Sequence, residues 1–413
     1  MITKTEIKLL RELAQQYAGY AADSANAERA QRGRDINDLK PRRPMVWIDE
    51  IPWSEMDIDG QLVLHCQAPF ARRMEEFFHN KLLAWRYFQA DMILEDAYYI
   101  EKARVDSGIG ISVAEETIAT DAKNGIVSHY YIDQLDTEEK LNKLHSRTIL
   151  ADQEKDKSNV AIAEEILNGI LPVRLRGQYV YNHPWDEIPR FRNVETTLLD
   201  LVERPDFMHK VVAKFTEIRQ SEMRQLEQQD LLDFNLSSLH CTPPQTSDLP
   251  SPGYDGKHVR LKDVWYRGMA QIFSSVSPAM HEEFELDYAK PLMAQCGLVY
   301  YGCCEPLDRV LPLLMKIPNM RKLGVSPWAN VQSCARQIGN KYVCARKPNP
   351  AMVAGKINRE AIERETTETI EACLANGCAY ELVLKDISTV GHNPYNLIEW
   401  NRITQGVIDR YYQ

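Results

Sequence analysis

LVYYGCC (298–304), EPLDRVLPLLMKI (305–317), MRKLGVSP (320–327), NVQSCARQIG (330–339), KYVCARKP (341–348), NREAIERETTETIEACLANG (358–377) and AYELVLKDIS (379–388) decide the fold. Short runs rich in β-branched and aromatic residues alternate there with longer segments whose apolar residues recur at helical spacing. Parallel strands need a crossover between them, so this rhythm builds a parallel sheet covered by helices. No glycine-rich dinucleotide loop joins a strand to a helix. That turns the reading from a doubly wound open sheet to an α/β fold of the (β/α)8 TIM-type barrel.

The same alternation continues upstream. SPAMHEEFELDYAKPLMAQCG (277–297) reads as helix, and 195–229 as a helical tract broken near Pro205. LLDFNLSSLHC (231–241) reads as a strand ending in His240 and Cys241, and PVRLRGQYVY (172–181) as a strand behind a helix over 157–170. MVWIDEIPW (45–53) is the first strand, with Asp49 and Glu50 near its end and Pro52 closing it. The helical pattern before LKPRRP (39–44) is a prefix. The expected organisation is an N-terminal helical extension over 1–40 and a barrel over 41–413. The prefix either closes the bottom of the barrel or builds a homodimer contact. TPPQTSDLPSPGYDG (242–256) reads as a loop over the barrel mouth, a lid or a plain surface excursion.

With 44% hydrophobic and 26% charged residues, the 413-residue chain has an ordinary globular composition. Its net charge of −10 argues against a broad nucleic-acid-binding face. No apolar run approaches the roughly 20 residues that cross a bilayer, and MITKTEIKLLREL lacks a signal peptide's apolar stretch. The expectation is a cytoplasmic protein that partners neither nucleic acid nor membrane. Nine cysteines without a secreted-domain spacing read as reduced thiols.

A barrel carries its active site at the C-terminal ends of its strands, which selects the candidates. Cys303, Cys304 and Glu305 follow one strand, and thiolate, imidazole and carboxylate are all zinc ligands. Neighbours on an extended strand point to opposite sides, so Cys303 and Cys304 do not naturally share one ion. The bland alternative is two small apolar residues at a crowded strand end. Asp49 and Glu50 suit substrate orientation or proton transfer, and Glu50 lies closer to the strand end. Trp47, Trp53 and Trp328 offer aromatic walls or plain core packing. His392 and Asn393 sit in a Gly-His-Asn-Pro turn, where function competes with ordinary turn chemistry.

Residues 277–314, with their helix, strand and proline-led helix, resemble the uroporphyrinogen decarboxylase superfamily. KPNPAMVAG (347–355) is similar to that family's Asn-x-x-Pro segment, and TVGHNPYNLIEW (389–400) to its last strand-to-helix turn. The resemblance spans 40–413 and is strongest after 270. It implies a barrel and one of two chemistries: cofactor-free decarboxylation of porphyrinogen acetates, or corrinoid-dependent methyl transfer, commonly assisted by zinc. The decarboxylases carry an arginine motif after the first strand, where WIDEIPW (47–53) has Asp49 and Glu50, whose charge repels a polycarboxylate. The methyltransferase branch ends a strand with His-x-Cys. Here Tyr301-Gly302-Cys303 keeps the cysteine and replaces the histidine.

The resemblance places Cys303 at the metal position; zinc's taste for thiolate, carboxylate and imidazole adds Glu305 and His392 to the expected set, with Cys304 and Cys241 as further candidates and a metal-free pocket as the alternative. Glu50, Asp49 and Glu305 are the expected catalytic residues. Trp47, Trp53, His240, Tyr301, Trp328 and Asn393 are the expected substrate contacts. The implied reaction moves a methyl group from a small methylated donor, for instance a methoxylated aromatic, to cob(I)alamin. No Asp-x-His-x-x-Gly pattern is present, so the cobalamin would arrive on a separate corrinoid protein. A lyase or decarboxylase of a small acid, and a barrel that binds a tetrapyrrole or other small ligand without catalysis, stand as alternatives.

Overall fold

The computed structural model of the protein describes residues 2–88, 90–119 and 126–412. Its strands, in chain order, are β1 (Met45–Ile48), β2 (Tyr98–Glu101), β3 (Arg104–Asp106), β4 (Glu115–Ala119), β5 (Val127–Tyr131), β6 (Ile149–Ala151), β7 (Val173–Arg176), β8 (Val180–Asn182), β9 (Trp265–Gly268), β10 (Leu298–Tyr301), β11 (Met320–Val325), β12 (Val343–Arg346) and β13 (Ala379–Leu384). Seven of them form one sheet in the order β1-β13-β12-β11-β10-β9-β8, every pair parallel. The fold is α/β, as the alternation after residue 277 requires.

The first strand lies beside the last, with Met45 opposite Glu381 and Ile48 opposite Leu384. On the other side of β1 the backbone groups of Val46 meet Asp91. Asp91 N–H donates to Val46 O (2.9 Å), and its carboxylate accepts from Val46 N–H (2.8 Å). At the opposite edge, β8 follows directly on β7, which pairs in parallel with β2. The antiparallel pairs β3–β6 and β4–β5 stand outside the main sheet.

Pleat alternation sorts the sheet's residues into two covered faces. Val46, Tyr266, Val299, Tyr301, Leu323, Cys344, Leu382 and Leu384 join one apolar cluster with helix residues such as Leu292, Ile370 and Trp400. The opposite face carries Trp47, Trp265, Tyr300, Ala345 and Val383 in two smaller clusters. Charge enters this second face as well: Arg267, Lys322, Glu381, Lys347 and Lys385 are all 4% exposed or less. Charges this deep persist only when paired or hydrogen-bonded, so this second face carries polar contacts among its apolar side chains.

The expected strand over 231–241 takes a different form. Only a single bridge, Gln178 to Leu232, joins it to its neighbours. Leu236 and Leu239 instead pack against Trp265, Leu298 and Tyr300 on the charged face, and the chain reverses at 239–242. Leu239 N–H donates to Thr242 O (2.8 Å) and Thr242 N–H to Leu239 O (3.3 Å). His240 (φ 40°) and Cys241 (φ 68°) occupy the two corners of that turn, both in the left-handed region that non-glycine residues avoid.

The segment after the turn is not over the strands' C-terminal ends. Pro243 O accepts from Asn37 and Lys322, Trp265 Nε1 donates to Pro244 O, and Asp248 pairs with Arg321 at the start of β11. The 242–248 stretch is thereby held at the N-terminal side of the sheet, away from a lid's position. No helix among the described residues is long and apolar enough to cross a membrane.

Candidate functional site

Gly302 turns the chain sharply after β10 with φ 97°, and a side chain there would place Cβ 2.2 Å from Leu307 Cδ1. Buried Arg267 binds the backbone at this turn, donating to Gly268 O at the end of β9 and to Gly302 O (2.9 Å) at the end of β10. Glu305 completes the clamp: its carboxylate accepts from Ala270 N–H (3.2 Å) and Cys303 N–H (2.9 Å). Each Glu305 oxygen thus accepts from one backbone donor, which ties Cys303 to the end of β9.

Cys303 is wholly buried, and its Sγ lies 3.2 Å from Lys385 Nζ, 3.5 Å from His240 Nε2 and 3.5 Å from Cys304 Sγ. The Cys304 hydrogen bond together with the Lys347, Arg267 and Lys385 cations outweighs burial and pulls the Cys303 thiol down to about 6. Cys304 lies 2.8 Å from Asp386 Oδ2, and its contact with Cys303 and its burial hold it protonated. Burial pushes the His240 imidazole far down, aided by Arg267, Lys385 and Lys347, so the ring is neutral.

A second group adjoins the first. Glu50 accepts from Cys241 Sγ (3.3 Å), Asp386 N–H (3.0 Å) and, as an ion pair, Lys385 Nζ (3.2 Å). Among the described residues two sets of ligand-type atoms converge within 4.8 Å: Glu50, His240 and Cys241, and Cys303, Cys304 and Asp386. The His240–Cys303 contact joins them. The strained turn supplies His240 and Cys241 to the first set and carries His240 to Cys303, while Lys385 contacts Glu50, Cys303 and Asp386. A non-glycine pair held at positive φ costs of order 1–3 kcal/mol per residue and persists where surrounding structure imposes it.

Beside this centre opens a cavity of about 570 Å³. Asp49, Glu50, Trp47 and Trp53 contribute to its wall, with Phe88, Tyr17 and Lys81. Trp53 and Phe88 stack with centroids 6.2 Å apart. Glu50 belongs to both cavity and centre, so it marks where the two meet.

Other residues singled out from the sequence lie elsewhere. Tyr301 is fully buried on the helix-facing side of β10, its hydroxyl 2.8 Å from His281 Nε2; Tyr300, one residue earlier, faces the charged interior and accepts from Lys347 Nζ (3.1 Å). Trp328 is 68% exposed. Asn393 accepts from Tyr395 N–H in a turn before the last helix. Neither convergent set contains Glu305 or His392. Arg267, Tyr300, Lys385 and Asp386 are neighbours of this cluster that strand-end reasoning passes over. The available signal was charge within apolar strands, as in WYRG (265–268) and AYELVLKD (379–386).

His392 (φ 54°) rides on a loop that Glu55 organises. The Glu55 carboxylate accepts from Val390 N–H (2.8 Å), His392 N–H (3.0 Å) and the Thr389 hydroxyl (2.8 Å). Burial opposes ionisation, but these donors prevail and hold its carboxyl below the usual value. A depressed acid contributes stability above its unfolded pKa of about 4.3 and loses that contribution as pH falls through the lower native value. Glu55→Gln is expected to cost about 1.5–3 kcal/mol near neutral pH, with a smaller penalty in acid. Urea melts of both proteins between pH 7 and 3 check this, and parallel pH curves would refute it.

No protein-family model matches the chain, and no curated protein matches it. Among solved structures, a methyltransferase from Methanosarcina mazei is similar over 93% of this chain and 99% of that one, at 10% sequence identity and a TM-score of 0.49. A similarity of that depth bears on neither activity nor ligand.

Proposed function

We propose that the chain is a methyltransferase that moves a methyl group from a small methylated donor to cob(I)alamin on a separate corrinoid protein. A methoxylated aromatic is the donor this reading favours, because the cavity wall is rich in aromatic rings. The observation that carries the reading is the Cys303–His240 contact, a cysteine sulfur and an imidazole meeting next to Glu50, which lines that cavity. The same reading takes the sheet as a closed barrel, supported by β1 lying beside β13 and Asp91 covering the far side of Val46.

Zinc fits the residues present. Cys303, Cys304 and Asp386 converge within 4.8 Å, and His240 Nε2 meets Cys303 Sγ at 3.5 Å, so thiol, carboxylate and imidazole donors are all at hand. When bound, zinc supplies polarisation of the donor's heteroatom. The chain's own residues orient the donor and carry its proton. On this reading Trp47, Trp53 and Phe88 wall the ring, and Glu50, on the boundary of cavity and centre, supplies the proton for the leaving oxygen, burial raising its carboxyl above the usual value against the pull of Lys385. The oxygen–carbon bond breaks with its electron pair on oxygen while the methyl carbon bonds to cobalt.

Incubating zinc-loaded protein with methoxyaromatics and chemically reduced cobalamin should give the absorbance change of methylcobalamin. Silence across a broad donor panel would sink the proposal. The Lys385–Cys303 contact of 3.2 Å favours a second reading, in which the ammonium rather than a metal stabilises the thiolate. Elemental analysis separates the two, since only the first requires stoichiometric zinc.

A further inference from the structure

The helix Pro69–Tyr87 turns one face to the cavity, placing Phe77, Asn80, Lys81 and Ala84 on its wall at helical spacing. Most charges around them are already matched. Arg176 makes two contacts with Glu95 (2.5 and 3.0 Å) and lies 3.4 Å from the Tyr99 ring centroid. Glu50 is engaged by Lys385, Cys241 and Asp386 N–H, and Asp49 accepts from Glu50 N–H (2.8 Å). Glu101 is exposed at the rim.

Lys81 differs. Half-buried, it has no hydrogen bond with the described residues and no carboxylate of theirs within 4.0 Å. The neighbouring Asn80 amide has no hydrogen bond with them either, and Ser238 Oγ on the same wall is buried without a partner. Burial pulls the Lys81 pKa down, and the Asp49 and Glu95 carboxylates, neither within 4.0 Å of it, oppose that shift without cancelling it. A cation without a contacting counter-ion, with an unmatched amide beside it on a wall of aromatic rings, is complementary to a flat ligand with an anionic end.

We propose that the cavity receives a planar aromatic monocarboxylate, its carboxylate held by Lys81 and Asn80 and its ring lying among Trp47, Trp53 and Phe88. This rests on the reading of the cavity as the donor chamber and narrows the donor class from aromatic ethers at large to aromatic acids. Lys81 is here a binding and specificity residue. The trimmed alternatives are a neutral aromatic, which would leave the ammonium unmatched, and an aromatic amine, which would be drawn to Asp49 and repelled by Lys81.

Benzoate, benzamide and benzylamine test the proposal through the tryptophan fluorescence of the full chain, since Trp47 and Trp53 line the cavity. Benzoate should quench saturably, with benzamide about ten-fold weaker or worse. Lys81→Met should weaken benzoate by about ten-fold while leaving benzamide as it was, and Lys81→Arg should restore the preference. Retained benzamide binding by Lys81→Met also reports that this variant folds. Equal or tighter binding of benzamide or benzylamine by the unaltered protein overturns the proposal. So does benzoate binding that is indifferent to Lys81→Met, or the absence of saturable quenching by all three. Because these are binding measurements, benzoate bound with no methyl transfer refutes the transfer reading alone. Transfer from neutral ethers without benzoate binding refutes this proposal alone.

Discussion

Alanine at position 303 is expected to lower methyl transfer by about 100-fold or more and to remove zinc from the purified protein. The expectation follows from the number of groups that converge on one sulfur. Lys385 and His240 contact it directly, Cys304 faces it, and Lys347 and Arg267 add positive charge from neighbouring strands. Alanine deletes the one anion these cations share, so the variant should also unfold more readily, by about 3 kcal/mol. Serine keeps the size of the side chain without a stable anion, and it should reproduce the loss of zinc and activity with less damage to stability. Zinc content per chain, methylcobalamin formation and urea melts, read on the three proteins together, check the argument. Unchanged zinc and unchanged turnover in Cys303→Ala would remove Cys303 from the centre. Lost activity with zinc at full occupancy would move the metal elsewhere and keep the thiolate.

Much of the sheet is legible in the sequence because β10 to β13 are short apolar runs bounded by glycine, proline or asparagine, with helical spacing between them. The position of Cys303 just past a strand end is legible for the same reason, since it follows such a run. What surrounds it is not. Tyr300 and Tyr301 are adjacent and chemically alike, and only the phase of the pleat decides that Tyr300 faces the charged interior while Tyr301 meets His281. Glu305 reads as a local side chain until Ala270, 35 residues upstream, is seen to donate to it. The loop around His392 depends on Glu55, whose bonds to it span more than 330 residues. LLDFNLSSLHC has the composition of a strand, yet Leu236 and Leu239 find their apolar partners inside the sheet, and a reversing turn delivers them there. Local pattern registers an apolar run and is silent about which surface covers it.

The charged interior yields the second large effect, at Glu381. Its Oε1 lies 2.9 Å from Lys322 Nζ, with both side chains 1% exposed or less. Lys322 also donates to the Thr242 hydroxyl (3.2 Å) and Pro243 O (3.2 Å), so the ammonium's three hydrogens have three acceptors. Burial alone draws the lysine down and the glutamate up, each towards its neutral form, and their contact opposes both movements. Glu381→Ala strands the ammonium with two neutral acceptors and should cost about 3–5 kcal/mol in a urea melt. Glu381→Gln keeps an oxygen acceptor and should cost less. Replacing both partners, as Lys322→Met with Glu381→Leu, removes the stranded charge and should recover most of the loss, because an apolar pair of similar volume avoids desolvation altogether. The double replacement also frees Thr242 and Pro243, which lie directly after the His240-Cys241 turn. It should therefore regain stability while still binding zinc more weakly than the unaltered protein. If the double replacement is no more stable than Glu381→Ala, the pair is not the source of the cost. If stability and zinc affinity return together, Lys322 does not anchor the turn.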